Sequence, residues 1–231
     1  LEDVSSWLIV RSRLPHFPLR QGIDNAWMGT FGNVVGLGAG SVPFQTWYLH
    51  RRGLDVGPGV GLMTLQYVFH KTAVLLYATV LLLWHRSWLA AHTTGVLHYL
   101  PAAYAVVAGV IVGLVLLCAS PLVQQLARWA LGKLPQSETW QARRERWQTQ
   151  LDPLSAESRH LLAEKRRCLA LLAVHGVKLF LLFSIPYLCI RFMGLPCSLT
   201  FGQVQLLGAL MFFLSNALPN VAGMGSIETA F

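Results

Sequence analysis

Three apolar runs, Gly59 to Trp84, Tyr99 to Ala119 and Cys168 to Ile190, constrain this 231-residue chain more than any other feature in it. Each is long enough to cross hydrocarbon, which takes about 20 residues at ~1.5 Å of rise apiece. Lipid supplies no water to complete backbone hydrogen bonds, so runs of this kind must be helices. The expected fold is all-α, a polytopic integral membrane protein. Composition agrees, because 54% of the residues are hydrophobic and only 12% are charged, with the charges gathered in a few blocks. Leu1 to Val10 looks like the end of a further span and the chain stops abruptly at Phe231, so residues 1–231 read as one transmembrane domain from a longer protein. Residues 1–10 carry two acids and no basic lead, which is not the pattern of a cleavable signal.

Before and after these runs one phrase occurs, twice in all: Gly38-Ala39-Gly40-Ser41-Val42, then Gly223-Met224-Gly225-Ser226-Ile227. An asparagine precedes each copy, Asn33 and Asn216, and a proline accompanies each, Pro43 and Pro219. Paired Gly/Pro-interrupted apolar segments in two halves of a chain point to transporters built from repeats, with the site where the broken helices meet. Residues 23–50 are expected to form a first re-entrant, broken-helix hairpin, and 200–231 a second, incomplete one. The re-entrant tips would be Gly38, Gly40, Ser41 and Pro43 in the first, and Pro219, Gly223, Gly225 and Ser226 in the second. The competing reading is that the glycines let helices pack closely, as small residues do in membranes; packing alone does not require the prolines.

Basic residues set the orientation. Of 18 Lys and Arg, three (Arg11, Arg13, Arg20) lie in one loop, two (Arg51, Arg52) in a second, and nine between Arg128 and Arg167. The positive-inside rule puts these loops in the cytoplasm and the His85 to His98 loop, with Arg86 alone, outside. The first loop joins the others only if Ile23 to Leu49 enters the membrane and returns. The second hairpin is then approached from the exterior, which makes the pair an inverted repeat. Residues 120–167 read as a cytoplasmic basic amphipathic segment on anionic lipid, with Trp129, Trp140 and Trp147 interleaved among the arginines, and a helix starting at Asp152-Pro153. Nucleic acid is the rival explanation of a +8 chain, but no recognised nucleic-acid module is present, and no direct nucleic-acid binding is expected.

Charges within the spans carry the functional expectations. A central charge costs about 2.5–3.5 kcal/mol on insertion scales and therefore faces a partner or a wet cavity. Lys71 beside His70, and Lys178 one turn after His175, are candidate anchors for an anionic phosphate; internal pairing or snorkelling is the competing account. Glu228 fits either a cationic head group, a coupled proton or an internal ion pair. Gln45, on the second arm of the first hairpin, completes the head-group set. Half-helix N-termini near Ser41 and Ser226 favour anions. No catalytic residue is expected: there is no GxSxG elbow, P-loop or HExxH pattern. No cofactor or metal is expected either. Cys118, Cys168, Cys189 and Cys197 show no CxxC spacing, and His85, His92 and His98 suit a solvated or interfacial role better than a metal site.

The run Gly38 to Leu49, followed by Arg51-Arg52-Gly53-Leu54, resembles the first signature of the lysylphosphatidylglycerol synthase transmembrane, or flippase, family. Pro219 to Glu228 resembles the second. Two departures are Ala39-Gly40 where the family often has Gly-Gly, and Pro219-Asn220-Val221-Ala222 where it often reads Pro-x-Pro-Gly. The resemblance implies a bacterial multi-pass plasma-membrane protein with phosphatidylglycerol and lysyl-phosphatidylglycerol as partners, in a homo-oligomer or alone. The implied activity is movement of such (amino)phospholipids between leaflets, contributing to surface charge and resistance to cationic antimicrobial peptides. Two alternatives stand beside it. One is a lysyl-tRNA-dependent phosphatidylglycerol lysyltransferase, whose soluble catalytic domain these residues do not match. The other is a lipid-binding membrane subunit. For the chain as given, non-enzymatic action is the expectation.

Overall fold

The computed structural model describes residues 1–36, 40–92, 94–120 and 159–217. Every regular element with assigned bounds among them is an α-helix: α1 Glu2–Val10, α2 Leu19–Val35, α3 Ser41–His50, α4 Val56–Trp84, α5 Arg86–His92, α6 Thr94–Ala119, α7 Lys165–Phe192 and α8 Phe201–Ala217. Gly38, most of the 120–167 segment, and the second glycine phrase with Pro219, Gly223, Gly225, Ser226 and Glu228 lie outside the described residues.

The three apolar runs fall on α4, α6 and α7, each extending beyond its run. Helix α4 starts three residues before Gly59, and the Gly59 N–H already bonds the Asp55 carbonyl at 3.0 Å. Helix α7 starts at Lys165 and takes in Arg166 and Arg167. Lys and Arg are good helix formers, and their long stems let the charges reach an interface from the end of a span. The expected loop from His85 to His98 is a correction: Arg86–His92 is helix α5, and Thr94 already belongs to α6. Leu89 of α5 is buried, so the connection is a packed helix.

Helices α4 and α7 are long and apolar enough to cross a membrane, and only 28% of the most apolar stretch of each is buried. A core helix of a soluble protein would be mostly covered. Here Val177, Leu181, Ile185, Leu188 and Phe192 form an exposed apolar stripe along α7 at helical spacing, as Leu76, Val80 and Leu83 do along α4. Helix α2 inverts the soluble pattern most plainly. Its bulky Ile23, Trp27, Phe31 and Val34 face outward, whereas Gly22, Asn25, Ala26, Gly29 and Gly32 are buried. Such an arrangement suits a lipid solvent, where apolar side chains gain nothing by turning inward and small residues allow close helix contact.

The chain divides into two compact units, one comprising Glu2–Val68 with Val112–Leu171, the other Phe69–Ile111 with Leu172–Phe231 and Leu1. In the first unit α2 packs on both α1 and α3. Gly32 faces Gly40, Gly29 faces Ser41 and Gln45, and Asp24 meets Tyr48, the antiparallel register of a helical hairpin. Gly22 lies against Trp7, whose indole N–H also bonds the Phe17 carbonyl at 3.0 Å, so the end of α1 adjoins the start of α2. The break between α2 and α3 and the close packing of glycines occur together: a Cβ on Gly32 would stand 2.5 Å from the Gly40 carbonyl oxygen, and one on Gly36 2.6 Å from the Gly40 Cα. In the second unit, Ala73, Val74 and Ala78 of α4 pack with Leu89, Leu100, Ala103, Val107, Leu179, Phe183, Leu206, Leu210 and Phe213 into one apolar core.

Candidate functional site

Helix α3 starts where it does because Asn33 reaches over the break: its Oδ1 accepts the Ser41 backbone N–H at 3.2 Å, satisfying one of the donors a helix start leaves open. The Ser41 hydroxyl then donates to Gln45 Oε1 at 3.2 Å, and Gln45 Nε2 donates to the Asn25 carbonyl at 3.3 Å. Gln45 is buried, with Gly29 opposite leaving room for its amide. Pro43 sits exposed in the first turn of α3, where a missing N–H breaks no helical bond. The first glycine phrase therefore positions a buried amide, not merely a turn.

The same unit buries further polar side chains. The Asn25 Nδ2 donates to Ser6 Oγ at 2.7 Å and lies 3.4 Å from Met63 Sδ. One turn further along α4, Gln66 Nε2 donates to Ser5 Oγ and to Glu2 Oε1, both at 3.3 Å. Ser5, Ser6, Asn25, Gln45, Thr46 and Gln66 are all at least nine-tenths buried. Asn25 Oδ1, Thr46 Oγ1 and Gln66 Oε1 have no hydrogen-bond partner among the described residues. Each buried, unsatisfied polar atom costs about 1–3 kcal/mol, so these three acceptors are open to donors from outside the described residues. At the open end of the hairpin Tyr48 Oη donates to Asp24 Oδ2 at 3.0 Å.

In the second unit the structure brings His70 and His175 together, ring centres 5.3 Å apart, with Phe212 6.2 Å from His70. His175 is fully buried. Lys71 and Lys178, the neighbours of these histidines in the sequence, are both half-buried on the same two helices. A second amide, unforeseen from the sequence, lies on α8. Gln205 Oε1 accepts the Tyr77 hydroxyl at 2.7 Å, and its Nε2 donates to Ser184 Oγ at 2.8 Å and the Phe180 carbonyl at 3.1 Å. Asn25, Gln66, Thr46 and Gln205 were all visible as rare amides and hydroxyls in apolar helices, and a search for charges alone passes over them.

No curated protein and no solved structure is significantly similar to the chain. The family model described as lysylphosphatidylglycerol synthase TM region matches residues 2–231. Two long helices that expose most of their apolar surface accompany that match; the chain belongs to this family and is a membrane protein linked to lysylphosphatidylglycerol synthesis.

Proposed function

We propose that the chain moves lysyl-phosphatidylglycerol, or a related (amino)phospholipid, between the leaflets of a bacterial plasma membrane, raising surface charge and resistance to cationic antimicrobial peptides. The observation that carries this reading is the set of spare acceptors on Asn25, Thr46 and Gln66 inside a helical unit whose outer faces are apolar. Neutral amide and hydroxyl oxygens suit an ammonium, which carries three donors and no acceptor. Lys71 and Lys178 are the proposed anchors of the phosphate, Glu228 a further partner for the lysyl ammonium, and His70, His175 and Gln45 the remaining polar contacts. Residues 23–50 act in this scheme as a re-entrant hairpin entered from the cytoplasm, and 200–231 as its inverted counterpart.

The test is leaflet exchange of fluorescent phosphatidylglycerol and its lysyl derivative in liposomes containing the purified chain. Wild type exchanges both lipids. Lys71→Ala slows both by about tenfold, the loss of one charge-assisted contact. Asn25→Leu slows the lysyl lipid selectively, since only that lipid brings the ammonium. Absence of exchange by a folded wild type refutes translocation. Lysyl-lipid made by the purified chain from charged lysyl-tRNA would instead assign it a transferase activity.

A further inference from the structure

We propose that a cleft on the first unit, between the turn at 14–17 and Arg52, binds the phosphate of an anionic glycerophospholipid at the membrane surface. Because α3 runs antiparallel to α2 and the end of α1 adjoins the start of α2, the C-terminus of α1, the N-terminus of α2 and the C-terminus of α3 share one end of this unit. That end carries Arg11, Arg13, Arg20, Arg51 and Arg52 against Asp24 and Asp55, and Asp24 is engaged by the Tyr48 hydroxyl. The cleft is an open one of about 220 Å³, lined by Leu14, Pro15, His16, Phe17, Gln21 and Arg52. Drug-sized pockets run to roughly 300–1,000 Å³, so this space takes a head-group phosphate with its glycerol and not a whole lipid.

Both walls are fixed in shape before any ligand arrives. On one side the Trp7 indole N–H donates to the Phe17 carbonyl at 3.0 Å and Arg11 Nε to the Pro15 carbonyl at 3.3 Å, pinning the turn to α1. On the other, α3 ends in a tight reversal: Gly53 takes φ +93°, and the Leu54 N–H returns to the Leu49 carbonyl at 3.1 Å. A left-handed glycine of this kind closes a helix and sets where Arg52 stands. The Arg52 guanidinium lies 5.2 Å from the centre of the Tyr48 ring and also interacts with its hydroxyl, which fixes its position at the mouth of the cleft, and its five N–H donors exceed what that one oxygen can accept.

The chemistry matches a phosphodiester in contact with lipid. A guanidinium offers paired donors to phosphate oxygens, His16 presents a ring N–H in either protonation state, and Gln21 adds an amide. Leu14, Pro15 and Phe17 supply apolar contact for the glycerol and first acyl carbons. Trp7 and Trp47, stacked under Arg11 at 4.7 Å and Arg51 at 4.8 Å, flank this end. Trp at this level is the usual companion of a membrane–water boundary. An isolated aqueous anion would have no use for the apolar lining.

The test measures binding without transport, so it stands apart from leaflet exchange. The purified full chain in detergent is titrated with short-chain phosphatidylglycerol, short-chain phosphatidylcholine and inorganic phosphate. The expected result is tighter binding of the phosphatidylglycerol, loss of about tenfold in affinity for Arg52→Gln, and no change for Arg20→Gln, which keeps the cleft lining intact. His16→Ala and Gln21→Leu, which leave the Arg52–Tyr48 contact in place, also weaken binding and keep the test readable if Arg52→Gln fails to fold. Equal losses for Arg20→Gln and the cleft variants would reduce the site to diffuse surface charge and overturn the proposal. Inorganic phosphate competing as well as the lipid would overturn the lipid assignment.

Discussion

Gly32→Ala tests the hairpin where backbone meets backbone. The added methyl would lie 2.5 Å from the Gly40 carbonyl oxygen and 2.9 Å from its carbon. Ordinary van der Waals contact begins at 3.4 Å, so α2 and α3 must part by nearly an ångström or the turn must deform. Neither partner atom belongs to a flexible side chain that could swing aside. Overpacking of this kind costs typically about 1–3 kcal/mol, and the better helix propensity of alanine returns up to about 1 kcal/mol. The net expectation is a loss of about 1–2 kcal/mol, or roughly 2–8 °C in Tm for a chain of this size. Gly176→Ala is the paired control: that glycine is also inside a helix, α7, with nothing within 4 Å of the new methyl, so propensity acts alone and stability holds or rises. Thermal unfolding of both variants in detergent, read by thiol-reactive dye or by monodisperse fraction after heating, measures the contrast. A Gly32→Ala protein as stable as wild type would refute the close packing of α2 on α3 described above.

Gln205→Leu leaves the Tyr77 hydroxyl without its acceptor and should cost about 1–3 kcal/mol. Adding Tyr77→Phe should recover part of that loss, and a double-mutant cycle with no coupling would deny the bond. Tyr48→Phe removes the hydroxyl that donates to Asp24 Oδ2 and should cost about 1.5–3 kcal/mol, as for a hydrogen bond to a charged group; a double-mutant cycle with Asp24→Asn that shows no coupling would contradict the contact.

The three long apolar helices were legible because hydrophobic length is a property of the sequence itself, two of them, α4 and α7, being long and apolar enough to cross a membrane, and their ends shifted by a few residues because helices take in flanking polar residues, as α7 does with Lys165 to Arg167. The break between α2 and α3 was legible from Gly36, Gly40 and Pro43. Two opposed accounts of those glycines, breakage and packing, proved to be one geometry at Gly32, Gly36 and Gly40. His70 and His175 were each singled out, but their 5.3 Å approach joins α4 to α7 across more than a hundred residues and no local pattern encodes it. Asn25, Gln66 and Gln205 escaped notice because an uncharged amide hardly alters hydropathy, although burial makes its hydrogen bonds as demanding as those of a charge is costly. The stretch 85–98 was read as a loop because it falls between two apolar runs, whereas Arg86–His92 is a short helix that places Leu89 in the apolar core.

The two amide clusters also differ in when they can form. Every partner of Asn25 and Gln45 within the α1–α3 region is no more than 20 residues away along the chain, so this part closes soon after it is made. The Tyr77–Gln205 bond spans 128 residues, which at about 5–20 residues per second takes roughly 6–26 s of synthesis. Through that interval α4 is in place while its α8 partner does not yet exist. Helix α4 is thus the element that waits during biogenesis, and the one on which an insertase or membrane chaperone has the longest time to act.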